Sequence, residues 1–251
     1  MKPEKIDNVQ MLKKKITEVV SKGKITKEYF DLLRKLAGLG DRDALTDLGS
    51  FLREGYRDNR GKVLIRQDRK ASMQCHLLGA AQGNTYAMIA VADSLIATGK
   101  KGALSEAENL YKLAFRLGDT MAAYNLACTY RNLGKFSEAV RWFNRCLKAG
   151  DLGALIPLAY AELYGVGTRR NPTAAFIKLR RVARGGKHFC QFDQEEAMLA
   201  MADALRNGWV VQRDFNAAIV WLRRAAKLGS AAAKGILEDY QACSEHDHSH
   251  D

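Results

Sequence analysis

The chain has 251 residues, 47% of them apolar, only three prolines, and 40 Lys plus Arg against 28 Asp plus Glu, for a net charge of +12. No run of about 18 apolar residues exists, and Met1 to Lys24 is charged and amphipathic, without the apolar stretch or small-residue cleavage site of a signal peptide. Membrane insertion is thereby excluded, and a cytoplasmic location is expected. Five cysteines, Cys75, Cys128, Cys146, Cys190 and Cys243, are odd in number and irregular in spacing, unlike a disulfide framework.

Taken in chain order, two amphipathic segments, about Lys5 to Ser21 and Thr26 to Leu39, read as helices of a degenerate first hairpin that caps the fold over residues 1–39. From Gly40 onward a signature recurs. Eleven positions upstream of Gly83, Gly118, Gly150, Gly186 and Gly229 stand the small residues Ser72, Ala107, Ala139, Ala175 and Ala218. Four positions downstream of Gly40, Gly83, Gly118, Gly150 and Gly229 stand Ala44, Ala87, Ala122, Ala154 and Ala233, and eight positions downstream stand Leu48, Val91, Leu126, Leu158 and Leu237. Successive glycines lie 32 to 43 residues apart, the range of stacked supersecondary repeats. Each unit therefore holds a first helix after its glycine, a glycine-containing turn (Gly55, Gly99, Gly134, Gly165 with Gly167, or Gly208), and a second helix that runs to the next glycine. Asp or Asn directly after Gly40, Gly83, Gly118 and Gly150 suits a left-handed helix ending followed by an N-cap. The expected units are about 40–83, 84–118, 119–150, 151–186 and 187–230, then a capping helix over 231–243 and a disordered His-rich tail over 244–251. The fold class is all-α: a right-handed solenoid of about twelve antiparallel helices without a β-sheet. Two insertions break the period, Tyr56 to Gln67 and Lys187 to Asp193.

Candidate chemistry is sparse. There is no G-x-S-x-G, H-E-x-x-H, C-x-x-C or phosphate-loop motif, and Cys75 and His76, adjacent on a helix, point about 100° apart and share a proton poorly. No enzyme activity, cofactor or structural metal is expected. Cys243, His246, His248 and His250 in the tail are a weak metal candidate. Between Leu163 and Phe192 seven basic residues meet no acid, and Arg180, Arg181 and Arg184 fall on one helix flank opposite Phe176, Leu179 and Ala183. That flank suits an acidic protein surface and, behind it in rank, RNA or another polyanion.

The segment Gly208 to Ser230, with turn glycine Gly208, then Val211, Asp214, Ala218, Trp221, Ala225, Ala226 and Gly229, resembles the Sel-one-like repeats, relatives of the tetratricopeptide repeats. Gly165, Gly167, Ala175, Ala183 and Gly186 fit the same frame, and Asp68, Ser72, Gly79, Ala80 and Gly83 fit it more loosely. The resemblance implies protein binding in a concave groove lined by the first helices. Carried over by position, it places Tyr86, Asp93, Tyr124, Arg131, Tyr160, Tyr164 and Arg206 there. The function so implied is a non-catalytic adaptor or scaffold. Neutralisation of a toxin or effector and binding of RNA through the basic surface are the alternatives.

Overall fold

In the computed structural model, residues 3–21, 23, 25–208 and 212–247 are described, with side chains from residue 6 to 240 of these. Among the described residues there are thirteen α-helices, one more than expected: α1 (Pro3–Ser21), α2 (Lys27–Gly38), α3 (Arg42–Glu54), α4 (Arg69–Ala81), α5 (Thr85–Ala97), α6 (Ala103–Arg116), α7 (Thr120–Asn132), α8 (Phe136–Lys148), α9 (Leu155–Tyr164, preceded by a 3-10 turn at Leu152–Ala154), α10 (Pro172–Ala183), α11 (Gln191–Asn207), α12 (Phe215–Leu228) and α13 (Ala231–Asp247). The chain is an all-α solenoid of helical hairpins. It divides into two compact units, one up to Asn125 and one from Leu126 onward, the division falling within α7.

The residue after each repeat glycine joins two helices. Gly83, Gly118 and Gly150 have φ between 84° and 97°, which only glycine adopts without strain. The chain then turns so that the Asn84, Asp119 and Asp151 N–H groups donate to the carbonyls of Gly79, Ala114 and Cys146, at 3.0 to 3.1 Å. The side chains of the same residues cap the next helical turn: Asn84 accepts from Ala87 N–H, Asp119 from Met121 and Asp151 from Gly153. Asp41 does likewise with Ala44. Partial burial opposes its ionisation, but Lys13, 2.7 Å away, and the capping N–H hold its carboxyl below the ordinary value. The second helices fall into two groups. Asp68, Asn171 and Asp214 cap α4, α10 and α12 by accepting from Ala71, Ala174 and Ala217, whereas α6 and α8 start without a side-chain cap.

The small residues of the repeat frame are interior. Ala107, Ala139, Ala175 and Ala218 are buried, as are Ala44, Ala87, Ala122, Ala154 and Ala233. Helices approach closely there because nothing beyond a methyl group separates them. In the second unit α9 to α12 pack around Leu155, Leu163, Leu179, Val182, Met201 and Leu222. In the first unit α1 to α3 enclose Leu12, Phe30, Leu33 and Leu45, and the rings of Tyr29, Phe30, Phe51 and Tyr56 meet with centroids 5.0 to 6.0 Å apart, edge to face except for the tilted Phe30–Tyr56 pair.

Two expectations need correction. The stretch Tyr56 to Gln67 is not a plain loop: β1 (Tyr56–Arg57) and β2 (Val63–Ile65) pair antiparallel, so a small two-stranded sheet interrupts the all-helical array. Asp58 nucleates its turn by accepting from the N–H groups of Arg60 and Lys62, and Ile65, 2% exposed, pins the ribbon to the first core. The second is the end of the last helix. α13 runs to Asp247, four residues beyond the expected boundary, so residues 244–247 are helical.

Candidate functional site

Three of the seven residues assigned to a groove converge on one cleft in the second unit. Arg131 closes α7, Tyr160 and Tyr164 lie one turn apart on α9, and together with Phe136, Phe143 and Val166 they line a cleft of about 200 Å³. The spacing of four places the two tyrosines on one helix face, where their rings stack at 6.3 Å with an interplanar angle of 11°. Tyr164 is 59% exposed, and Phe136 and Val166 are also exposed. The cleft keeps its shape through the turn after α9. Gly167, at φ 72°, lies against the backbone of Phe136, and a Cβ there would stand 2.4 Å from the Phe136 carbonyl.

Polar groups frame the aromatic floor. Burial first, then the nearby Glu196 carboxylate on α11, pushes the Tyr160 phenol up, so it stays protonated. Glu162 accepts from Lys178 at 2.7 Å, which ties α9 to α10. Arg206 pairs with Asp203 at 3.1 Å; the buried Tyr240 hydroxyl lies close by without meeting hydrogen-bond geometry. Arg206 thus belongs to the ion pairs of α11 and is not among the cleft-lining residues.

The remaining three lie in the first unit. Tyr86, exposed at the start of α5, lines a separate shallow cleft with Asp43, Asp47 and Asn84. Asp47 has its carboxyl raised by burial and by the neighbouring Asp43 and Asp41. Asp93 accepts a hydrogen bond from the Tyr111 hydroxyl, which ties α5 to α6, while the residue itself stays exposed and apart from the cleft of the second unit. Tyr124 is half-buried on α7 and engaged in contacts of its own. Phe136, Val166 and Glu196 were missed in the sequence. Phe136 and Val166 follow turn glycines, the one usable signal, whereas nothing local marks Glu196 as a neighbour of Tyr160.

Elsewhere, Arg180, Arg181 and Arg184 are exposed at the end of α10 and form no ion pair among the described residues. His76 is 2% exposed, and neither ring nitrogen has a hydrogen-bond partner; the ring lies flat on Gly49, where a Cβ would meet it at 2.8 Å. Burial, with Arg53 adding to it, lowers the His76 pKa, and burial pushes the Cys75 thiol up. Cys146 is pushed up to about 12, by burial and then Asp151. Of the tail candidates, His248 and His250 lie outside the described residues, and Cys243 and His246 are described only as backbone of α13.

Stacked helical hairpins with caps at a repeated position, close-packed alanines and a lateral aromatic cleft define a helical-repeat protein. The Sel1 repeat model matches residues 154–177 and 195–230, so the hairpins α9–α10 and α11–α12 carry Sel1 repeats, as the sequence frame implied. An F-box protein of Arabidopsis thaliana is 29% identical over 129 residues, covering 49% of this chain; the chain spans 36% of that protein's length. Two solved structures share the fold. A protective antigen of uropathogenic Escherichia coli with an SLR fold superposes with a TM-score of 0.64 at 20% identity, over 82% of this chain and 42% of that one. A Sel1 repeat protein from Oxalobacter formigenes gives 0.63 at 20% identity, over 84% of both. No helix among the described residues is long and apolar enough to cross a membrane.

Proposed function

We propose that the chain is a non-catalytic, cytoplasmic adaptor that holds a segment of a protein partner in the cleft between α7, α8 and α9. Sel1 repeats serve in protein–protein interaction, and two hairpins of this chain carry them. The observation that carries the reading is the convergence of Arg131, Tyr160 and Tyr164 on one cleft with an exposed phenylalanine at its rim. Tyr and Arg dominate interface hot spots because they combine a large apolar surface with directional polar groups. The cleft is concave and lined mainly by apolar side chains, and its tyrosines are already ordered by stacking on each other, which lowers the entropy lost on binding. A partner segment contributing one aliphatic or aromatic anchor suits it best.

The test is photo-crosslinking from position 166, on the cleft rim, in the native host. One protein adduct is expected, and combining Arg131→Ala, Tyr160→Ala and Tyr164→Ala should weaken its formation more than tenfold while helicity is unchanged. An equal adduct yield from that triple variant would move the contact away from the cleft.

A further inference from the structure

The helices α8, α10 and α12 together contain a single acidic residue, Glu138, and their cations are in register. Counted back from Gly150, Gly186 and Gly229, the fifth and second positions are basic in all three hairpins: Arg145 and Lys148, Arg181 and Arg184, Arg224 and Lys227. All six are exposed, and none pairs with an acid among the described residues. Successive helices of this unit run antiparallel: Gly185 at the end of α10 lies against Gln194 near the start of α11, and Gln191 donates to the Leu228 carbonyl at the end of α12. The basic ends of α10 and α12 therefore share one edge, and the packed α9–α10 hairpin brings the end of α8, which leads directly into α9, to the same side.

Compensation of the helix dipole accounts for about one cation per helix end. The corresponding helices of the first unit follow that economy, with no cation in the last turn of α4 and Arg116 alone in that of α6. In the second unit α8 and α10 go beyond it, with Arg145 and Lys148 and with Arg180 and Arg181 in their last turns, while α12 holds Lys227 there and Arg224 three residues before it. Two of its guanidiniums are also pre-positioned, Arg145 over Trp142 at 4.2 Å and Arg224 over Trp221 at 4.8 Å, which leaves their outer edges free to donate. The link between α10 and α11 adds exposed Lys187 and His188 to this edge, and next to Gln191 stands Phe192, 73% exposed.

We propose that this edge is a binding site for single-stranded nucleic acid, in which the registered cations track successive phosphates and Phe192 offers a stacking face to a base. Regularly repeated cations suit a regularly repeated anion, and an aromatic ring beside them suits a base; an acidic protein surface calls for neither. The site lies on the ends of the second helices of the unit and on the start of α11, independent of the cleft between α7, α8 and α9.

Fluorescence anisotropy with labelled dT20 and U20 oligonucleotides across a KCl series, beside heparin as a polyanion without bases, tests it. The wild-type chain should bind both oligonucleotides with an affinity that falls linearly in log salt. The Arg181→Glu/Arg184→Glu/Lys227→Glu variant should bind more than tenfold more weakly, with a slope shallower by about 2, at about 0.7 per lost phosphate contact. The milder Arg181→Gln/Arg184→Gln/Lys227→Gln variant should show the same trend at unchanged thermal stability. Phe192→Ala should weaken the oligonucleotides about fivefold or more and leave heparin untouched, and Tyr160→Ala with Tyr164→Ala should bind nucleic acid as the wild type does. Absent wild-type binding, affinity indifferent to either basic-edge variant, an effect of Phe192→Ala that is nil or shared with heparin, or loss of binding in the cleft variant would each overturn the proposal.

Discussion

The hairpins α3–α4 and α11–α12 meet the same geometric demand with different chemistry. In α11–α12 the contact is lined largely by alanines, with Ala197, Ala218 and Ala225 buried in one apolar cluster beside Met201. In α3–α4 it is made by glycine and polar groups. Gly49 receives the flat face of His76, Ser72 donates to the Gly49 carbonyl at 2.7 Å, and Gly79 leaves so little room that a Cβ would stand 2.7 Å from Thr46 Oγ1. The repeat therefore fixes a distance between helices and not the residues that span it. Alanine satisfies that distance in a recognisable way, and the family match accordingly covers α11–α12 and stops short of α3–α4.

The largest expected break is Ala218→Leu. Three added carbons at a 1% exposed crossing have nowhere to go, and overpacking should cost about 1 to 3 kcal/mol, read as a lowered denaturant midpoint at constant m-value. A midpoint equal to wild type would place Ala218 outside the crossing. Gly49→Ala should cost less, about 1 kcal/mol net, because the clash with the His76 ring is offset by about 1 kcal/mol of helix propensity. Combining it with His76→Ala should remove that clash, so the two changes should be non-additive. Additive costs would show that the ring is not what Gly49 accommodates.

A smaller effect distinguishes the polar hairpin by pH. The folded pKa of His76 is depressed below its ordinary 6.5, so the folded protein binds fewer protons than the unfolded chain as pH falls. Its contribution is full above about 6.5 and is lost as pH drops below that value towards the folded pKa. Asp47, whose carboxyl is raised, has the opposite sign, so the comparison is with His76→Leu. Chemical denaturation at pH 7.5 and 5.5 should show the wild type losing stability relative to that variant. Parallel pH profiles would mean that His76 titrates as it does in the unfolded chain. The smallest change is expected at the C-terminus. Removing residues 244–251 deletes only the last turn of α13 and residues beyond it, and thermal stability should move by less than about 0.5 kcal/mol. A drop well beyond that, or one reproduced by chelation of the full chain, would reveal a structural metal site.

Much of the candidate site was legible only in fragments. Tyr160 and Tyr164 could be placed on one helix face by their spacing of four, and both line the cleft. Asp93 carried the same positional credentials, yet its carboxylate is taken by Tyr111 of the neighbouring helix, a pairing across 18 residues that no local pattern encodes. The cation run at Arg180, Arg181 and Arg184 stood out because it is contiguous and free of acids. Its counterparts at Arg145 and Lys148 and at Arg224 and Lys227 are legible only once the repeat glycines set a common register.

The sequence by itself determined the period, the helix ends and the interior alanines, because these rest on short-range physics: left-handed glycines, capping side chains one residue later, and a periodic apolar face. It left undetermined the β-ribbon of 56–65, whose pairing needs Ile65 to find the core of α1 to α3. The cleft, too, was decided only in three dimensions. Its rim joins Arg131, Phe136 and Tyr164 from three helices, and a surface made by side chains so separated along the chain exists only after the hairpins have stacked.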